Sequence, residues 1–270
     1  MPVAQRENVE IHYELLGSAG PVVLFISGLG MRGEQWTPLA RAVVGRGYRA
    51  VFFDNRDVGR SSRMEGHDYS LEDMALDTLA VLDHAEVEKA HAVGISMGGM
   101  ITQELILRRP ERFARAVLMA TWAGGPTMVV PDSRIIEMLV PRMDPNDGVA
   151  VEAHLRKLYA AITAPGFAEK NGHLIDMIVA FGLEQRISAE AMTRQLRAVG
   201  RFSSWDRLPE VNIPTLVLHG DADPLIPFEN GVNLSRRIPG ARLRALPNVG
   251  HLVPLEAPLE TFGAILDFLS

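Results

Sequence analysis

Residues 90–109 read AHAVGISMGGMITQELILRR, and the change of pattern within them sets the fold of the chain. The first six residues form a short apolar run that is typical of a β-strand buried on both faces. The following residues carry apolar side chains at helical spacing as far as Pro110, which ends the helix. Ser96 and three glycines lie at the junction, so the sequence predicts a sharp turn from strand to helix there.

The alternation of strand and helix extends on both sides of this stretch. Apolar and alternating runs predict further strands at 9–15, 22–26, 48–54, 115–121, 215–220 and 241–246. Helical patterns predict α-helices at 36–45, 70–84 and 257–269. Such alternation implies an α/β fold, with a mostly parallel central sheet flanked by helices. The run at 9–15 alternates in character, which indicates an edge strand.

The alternation is interrupted between residues 122 and 205, where the sequence has helical patterns and loops but no convincing strand. A loop of about 80 residues without secondary structure would be unusual inside a compact domain. We therefore predict a core domain formed by residues 1–121 and 206–270, with a helical cap inserted at 122–205.

The turn after the strand at 90–95 has the form of a nucleophile elbow. Gly94-Ile95-Ser96-Met97-Gly98 matches the pattern G-x-S-x-G, in which the two glycines remove side chains that would collide in the tight turn. The turn presents the Ser96 hydroxyl beside a helix N-terminus, whose positive dipole end favours a nearby oxyanion. We predict Ser96 as the nucleophile. The alternative is a plain glycine-rich turn in which Ser96 caps the helix.

A serine hydroxyl is a weak nucleophile and needs a general base. His251 follows the strand at 241–246, and the loop after the last strand of a parallel sheet opens at the same edge as the elbow. Among the eight histidines, His219 is its main competitor, since it also ends a strand at this edge. In a fold with a nucleophile elbow, the base follows both the nucleophile and the acid in the chain, and this order favours His251 as the base.

The acid that orients the base is expected between the serine and the histidine in the chain. The loop after the strand at 215–220 supplies two carboxylates there, those of Asp221 and Asp223. Position alone does not choose between them, and either can instead be a turn-forming aspartate that bonds its own backbone.

A tetrahedral intermediate needs two backbone N–H donors aimed at its oxygen. One is expected from Met97, the residue after the nucleophile. The other is expected from the loop after the strand at 22–26, where we predict Leu29, with Gly28 as the next candidate. The alternative is a glycine-rich turn without a chemical role.

Charge and composition exclude several classes of function. The net charge of −6, without a basic run, disfavours binding to nucleic acid or to a membrane surface. The absence of cysteine excludes a thiol nucleophile, a Cys-based zinc site and disulfides. No apolar run approaches the roughly 20 residues of a membrane helix, and the N-terminus lacks the apolar segment of a signal peptide. We expect a cytoplasmic protein.

Five segments give the chain a family resemblance that covers nearly all of its length. They are SGLG at 27–30, FFDNRDVGRSS at 52–62, GISMGG at 94–99, HGDADPLIP at 219–227 and NVGH at 248–251. The chain resembles a capped serine hydrolase of the α/β-hydrolase superfamily. The resemblance implies that Asp223 is the acid, since it matches the second aspartate of the family pattern between Gly220 and Pro227. It also implies a structural role for Asp54 through Ser61.

The motif DNRDVGRSS at 54–62 is similar to the corresponding segment of bacterial carboxylesterases and of polyketide methylesterases of the aclacinomycin methylesterase type. One departure from the family is Ser27, which stands where the oxyanion loop usually has histidine, so the side-chain bonds that shape this loop must differ. Epoxide hydrolases and haloalkane dehalogenases of this fold have aspartate in place of Ser96, which argues against both activities.

These features predict an enzyme that cleaves carboxylic esters of small, mainly apolar substrates without a cofactor or a metal. A lactonase, a C–C bond hydrolase, a cofactor-free perhydrolase and a non-catalytic ligand-binding module remain alternatives. The predicted substrate pocket consists of Gly28, Trp36, Trp122, Met128 and Met138. The methionine-rich helices of the cap are compatible with a homodimer and equally with substrate access, so the oligomeric state stays open.

Overall fold

An eight-stranded sheet organises the chain, which a computed structural model describes for residues 2–184 and 187–270. The remaining residues, 1, 185 and 186, belong to the predicted core and cap ranges and lie outside the described residues. The strands are β1 (Val3–Arg6), β2 (Val9–Leu16), β3 (Val22–Ile26), β4 (Arg49–Phe53), β5 (Ala90–Ile95), β6 (Phe113–Met119), β7 (Thr215–Gly220) and β8 (Arg242–Leu246).

The strand order in the sheet is β1-β2-β4-β3-β5-β6-β7-β8. The pairs β1–β2 and β2–β4 are antiparallel, whereas all pairs from β4 to β8 are parallel. This confirms the predicted α/β fold with a mostly parallel sheet. All five side chains of β3 are buried, as expected for a strand covered on both faces.

The first strand was not predicted, and this corrects the interpretation of residues 9–15. Strand β2 pairs with β1 on one side and with β4 on the other, so the edge strand is β1 and the prediction of an edge strand at 9–15 is wrong. The reason is length, because β1 has only four residues and therefore gives almost no periodic signal.

Helices pack on both faces of the sheet. They are α1 (Thr37–Val44), α2 (Leu71–His84), α3 (Met97–Arg108), α9 (Phe228–Arg237), α10 (Val253–Glu256) and α11 (Pro258–Leu269), with α4 to α8 given below. Helix α2 begins with a capping box, in which Ser70 and Asp73 bond each other's backbone N–H groups. The predicted helix at 257–269 is preceded by the separate short helix α10, and α9 was not predicted.

Within the described residues, five α-helices lie between the neighbouring parallel strands β6 and β7. They are α4 (Ser133–Met138), α5 (Gly148–Ile162), α6 (Phe167–Lys170), α7 (Gly172–Glu184) and α8 (Ala189–Gly200), and we call them the helical insertion. The insertion has a small apolar core of its own, formed by Tyr159, Ile162, Ile175 and Val179. Its limits as a separate cap domain at 122–205 stay a prediction. In the described part of the chain, every helix is too short or too polar to cross a membrane.

Candidate active site

Ser96 occupies a strained turn between β5 and α3. Its backbone has φ 55° and ψ −121°, a conformation that a residue with a side chain rarely adopts. A Cβ atom at Gly94 would lie 2.2 Å from the carbonyl oxygen of Gly98, and a Cβ atom at Gly98 would lie 2.1 Å from that of Ile26. Glycine is therefore required on both sides of the serine, which is the sequence feature that marked the elbow.

A buried hydrogen bond joins the predicted base to the predicted acid. His251 Nδ1 lies 2.9 Å from Asp223 Oδ2, and both residues are buried. The other carboxylate oxygen, Oδ1, accepts the backbone N–H groups of Leu225 (2.9 Å) and Ile226 (2.8 Å). Because the carboxylate holds the proton on Nδ1, the opposite ring nitrogen Nε2 is left as a proton acceptor.

Asp223 is flanked by a second histidine. His219 Nε2 lies 3.4 Å from Asp223 Oδ2 and 2.8 Å from the carbonyl oxygen of Ile226. Burial by itself raises the pKa of Asp223, but the charge of His251 and the hydrogen bonds from both histidines lower it well below its usual range. His219 is fully buried and does not belong to the cavity wall, so it supports the carboxylate rather than facing a substrate.

The other aspartate of this loop has a different partner. Asp221 Oδ1 accepts the backbone N–H of Asn248 at 2.7 Å, which ties the loop after β7 to the loop after β8. The structure therefore brings Asp223, and not Asp221, to His251.

The loop that carries His251 is held by a carboxylate that sequence reasoning missed. Glu256 accepts the backbone N–H groups of Gly250 (2.8 Å), Leu252 (3.0 Å) and Ala164 (2.8 Å), the last from the helical insertion. Burial raises the pKa of this carboxyl group. The available signal was a lone acidic residue in the otherwise apolar segment 252–259, five positions after His251.

The two predicted oxyanion donors lie in the wall of the same cavity as Ser96 and His251. Met97 is the first residue of α3, where backbone N–H groups have no carbonyl partner one turn earlier. Leu29 belongs to the loop after β3, which we call the oxyanion loop (residues 27–30). This loop passes close to the serine, because a Cβ atom at Gly28 would lie 3.4 Å from Ser96 Cβ.

Ser27 stands where the oxyanion loop usually has histidine, and it holds the loop through a different set of hydrogen bonds. Its hydroxyl accepts the indole N–H of Trp36 at 3.1 Å and donates to the carbonyl oxygen of Arg32 at 3.3 Å. Trp36 also stacks on Phe25, with 5.2 Å between the ring centroids. Ser27 and Trp36 together fix the base of the loop, and this explains why Trp36 is a core residue.

Replacing Ser27 by alanine leaves the Trp36 indole N–H buried without an acceptor. We expect a loss of about 1–3 kcal/mol in the free energy of unfolding, measured by urea denaturation. The matched control is Trp36→Phe, which removes the donor as well. In the double variant, the effect of Ser27→Ala should shrink to a few tenths of a kcal/mol. An unchanged effect in the double variant would contradict the assigned bond.

A cavity of about 760 Å³ lies above the sheet, between the elbow and the helical insertion. Its wall is mostly apolar, with Trp122, Ile136, Leu139, Leu155, Leu158 and Phe181 among the contributing side chains. Of the predicted pocket residues, Gly28 and Trp122 belong to this wall. Trp36, Met128 and Met138 do not: Trp36 is buried in the core, and Met128 is exposed on the segment after β6.

The sheet topology, the elbow and the Asp–His pair at its carboxyl edge together define an α/β hydrolase. Residues 17–258 match the family described as Hydrolase_4, serine aminopeptidase S33. The chain belongs to this family.

Known proteins resemble the chain over nearly all of its length. The provisionally named carbamate hydrolase RutD of Variovorax paradoxus (strain S110) is 29% identical, over 96% of this chain and 96% of its own. The rhodomycin D methylesterase DnrP of Streptomyces peucetius is 28% identical, over 94% of each chain. The crystal structure of a hydrolase from Pseudomonas aeruginosa PA01 superposes with a TM-score of 0.83 at 28% identity, covering 99% of this chain and 97% of that one.

Proposed function

We propose that this chain hydrolyses carboxylic esters of small, mainly apolar compounds through an acyl-enzyme on Ser96. The observation that carries the proposal is the buried bond of 2.9 Å between His251 Nδ1 and Asp223 Oδ2, with His251 lining the same cavity as the strained elbow serine. A protein that only bound ligands would have no use for an oriented base in the same cavity as a half-buried elbow serine.

In the proposed mechanism, His251 Nε2 takes the proton of Ser96 while Oγ attacks the ester carbonyl carbon. The carbonyl electrons form an oxyanion, which the N–H groups of Leu29 and Met97 stabilise. The intermediate collapses, and the alcohol leaves with the proton from His251. A water molecule then repeats the sequence on the acyl-enzyme and frees the acid. Asp223 keeps the imidazole in its working tautomer and stabilises the imidazolium form.

The character of the cavity supports an apolar substrate, and we propose that the helical insertion acts as its cap. A volume of about 760 Å³ is within the range of sites for drug-sized ligands, about 300–1,000 Å³. The relatives DnrP and RutD are named for a methyl ester and for a carbamate, and both groups offer a carbonyl carbon to a serine.

An aminopeptidase activity, which the family description names, is less well supported by this cavity. An aminopeptidase must bind the α-ammonium group of its peptide, and a carboxylate is the natural partner for that charge. Among the described residues of the cavity wall, Glu190 is the one carboxylate, and it is solvent-exposed. We therefore favour an ester over a peptide as the substrate.

The proposal is tested by incubating the purified protein with a fluorophosphonate probe and locating the adduct by mass spectrometry. We expect labelling of Ser96 that is lost in Ser96→Ala and in heat-denatured protein, and strongly slowed in His251→Ala. A folded protein that neither reacts with the probe nor cleaves a small p-nitrophenyl ester would refute the enzyme and leave the binding module. A panel of esters, lactones, β-diketones and peracid-forming acids then separates ester hydrolysis from the other reactions that the same side chains can perform.

A further inference from the structure

A glutamine of the helical insertion is bonded directly to the oxyanion loop. Gln195, on α8, accepts the backbone N–H of Gly30 with its Oε1 at 2.8 Å. Its Nε2 donates to the carbonyl oxygen of Arg56 at 3.1 Å, in the loop after β4. The side chain is fully buried, so both of its polar ends are satisfied by backbone groups of the core.

Helix α8 is packed closely against this loop. Gly30 has φ +68°, and a Cβ atom there would lie 2.8 Å from Met192 Cε on the same helix. Arg194, the residue before Gln195 on the helix, binds Asp57 through two hydrogen bonds of 2.8 Å each. Asp57 is itself buried and accepts the Tyr69 hydroxyl at 2.9 Å. Of these two hydrogen-bonded attachments, the one through Gln195 reaches the oxyanion loop.

The contact with Gly30 fixes the peptide next to the proposed donor. Gly30 follows Leu29 in the chain, so a bond that holds the Gly30 N–H restricts rotation of the peptide plane between them. The Leu29 N–H lies in the preceding peptide plane, which is joined to this one at the Leu29 Cα, so its orientation relative to the fixed plane depends only on φ and ψ of Leu29. Oxyanion donors act only when they are oriented in advance, because a donor that must reorganise loses much of its effect.

We propose that Gln195 is a positioning residue that holds the Leu29 N–H in place for the oxyanion. The helical insertion then contributes to the chemical step as well as to the cavity wall. The inference rests on the proposed function, since it requires an oxyanion to form on a substrate carbonyl next to Ser96.

The test is Gln195→Met, which keeps the length of the side chain and removes both hydrogen bonds. We expect kcat for a small p-nitrophenyl ester to fall about 10- to 100-fold, less than the roughly 10²–10³-fold that loss of a donor itself costs. KM should change by less than about threefold, because the ground-state ester does not need the oriented donor.

A transition-state analogue separates positioning from a general loss of structure. Ser96 Oγ adds to a trifluoromethyl ketone, the proton passes to His251, and the resulting hemiketal oxyanion occupies the oxyanion hole. In Gln195→Met, the inhibition constant of this ketone should rise by the same factor by which kcat/KM falls. Binding of the carboxylic acid product, which forms no tetrahedral oxyanion, should stay within about twofold of the parent protein.

The matched control is Arg197→Met, on the same helix, where an exposed ion pair with Asp68 is lost instead. This variant should keep the kcat and the ketone inhibition constant of the parent protein. Equal losses in both variants, or a lower kcat/KM with an unchanged inhibition constant, would overturn the inference.

Gln195→Glu gives a second, independent readout. The charged residues around this position are Arg56, whose carbonyl oxygen accepts from Gln195 and whose guanidinium binds Asp77, and Arg194, which binds Asp57. A protonated carboxyl group can accept the backbone N–H of Gly30 and donate to the carbonyl oxygen of Arg56, as glutamine does. The ionised form has no donor for that carbonyl oxygen. The kcat of this variant, as a ratio to the parent protein at the same pH, should therefore rise as the pH is lowered. A ratio that does not change with pH would count against the inference.

These experiments keep the two proposals apart. Absence of fluorophosphonate labelling at Ser96 in the parent protein would remove the proposed function itself. Normal labelling together with parental kinetics in Gln195→Met would remove only the role of Gln195.

Discussion

Replacement of Ser96 by alanine is expected to lower kcat/KM for a p-nitrophenyl ester by about 10⁴ to 10⁶-fold. The variant has no group that can form the acyl-enzyme, and the remaining oxyanion donors and cavity leave only a slow attack by water. Steady-state kinetics on protein of high purity measures the loss, with the parent protein diluted until its rate matches that of the variant. Residual activity within tenfold of the parent protein would show that another group is the nucleophile.

Stability provides the control for this variant. Ser96 holds φ 55°, a strained conformation for serine and for alanine alike, so the substitution does not relieve the turn. The melting temperature of Ser96→Ala should therefore stay within a few degrees of the parent value. A normal melting curve combined with lost turnover assigns the effect to chemistry rather than to folding.

Replacement of Asp223 by asparagine is expected to lower kcat by about 10⁴-fold. The amide is similar in size but can present an N–H group to His251 Nδ1, which favours the wrong imidazole tautomer. The imidazolium form also loses its stabilising charge. The reduction should be smaller at high pH, where hydroxide can replace the base, and this is measured as kcat between pH 6 and pH 10.

Asp221→Asn is the matched control, since it lies two positions away in the same loop. Its carboxylate accepts the Asn248 N–H and does not meet His251, so activity should stay within a few-fold of the parent protein. Equal losses at both positions would contradict the assignment of Asp223 as the acid that orients the base.

Much of the sheet could be predicted from the sequence because buried parallel strands appear as continuous apolar runs. The placement of Ser96, Asp223 and His251 at one edge follows from the same regularity, since loops after parallel strands open at one edge. The choice between Asp221 and Asp223 required the family resemblance, because both follow β7 within three residues. Strand β1 was too short to give a periodic signal.

The cavity wall could not be predicted in the same way. A tryptophan in an apolar segment gives the same pattern in a core as in a pocket, and Trp36 proved to be a core residue bonded to Ser27. Which insertion side chains face the elbow depends on how those helices pack, and this is a tertiary property. The contacts of Gln195 could not be predicted from the sequence for a similar reason, since its hydrogen-bond partners lie 165 and 139 residues away in the chain.

The two halves of the cavity come from different parts of the chain, and this has a consequence for how such a protein can diversify. The proposed catalytic residues are supplied by loops of the sheet, whereas Ile136, Leu155 and Phe181 of the opposite wall belong to α4, α5 and α7. Natural selection can exchange these side chains to admit a new compound while the proposed catalytic residues keep their geometry. Helix α8 is the exception, because Gln195 couples it to the oxyanion loop. Among the described helices of the insertion, α8 should therefore tolerate the least variation in sequence.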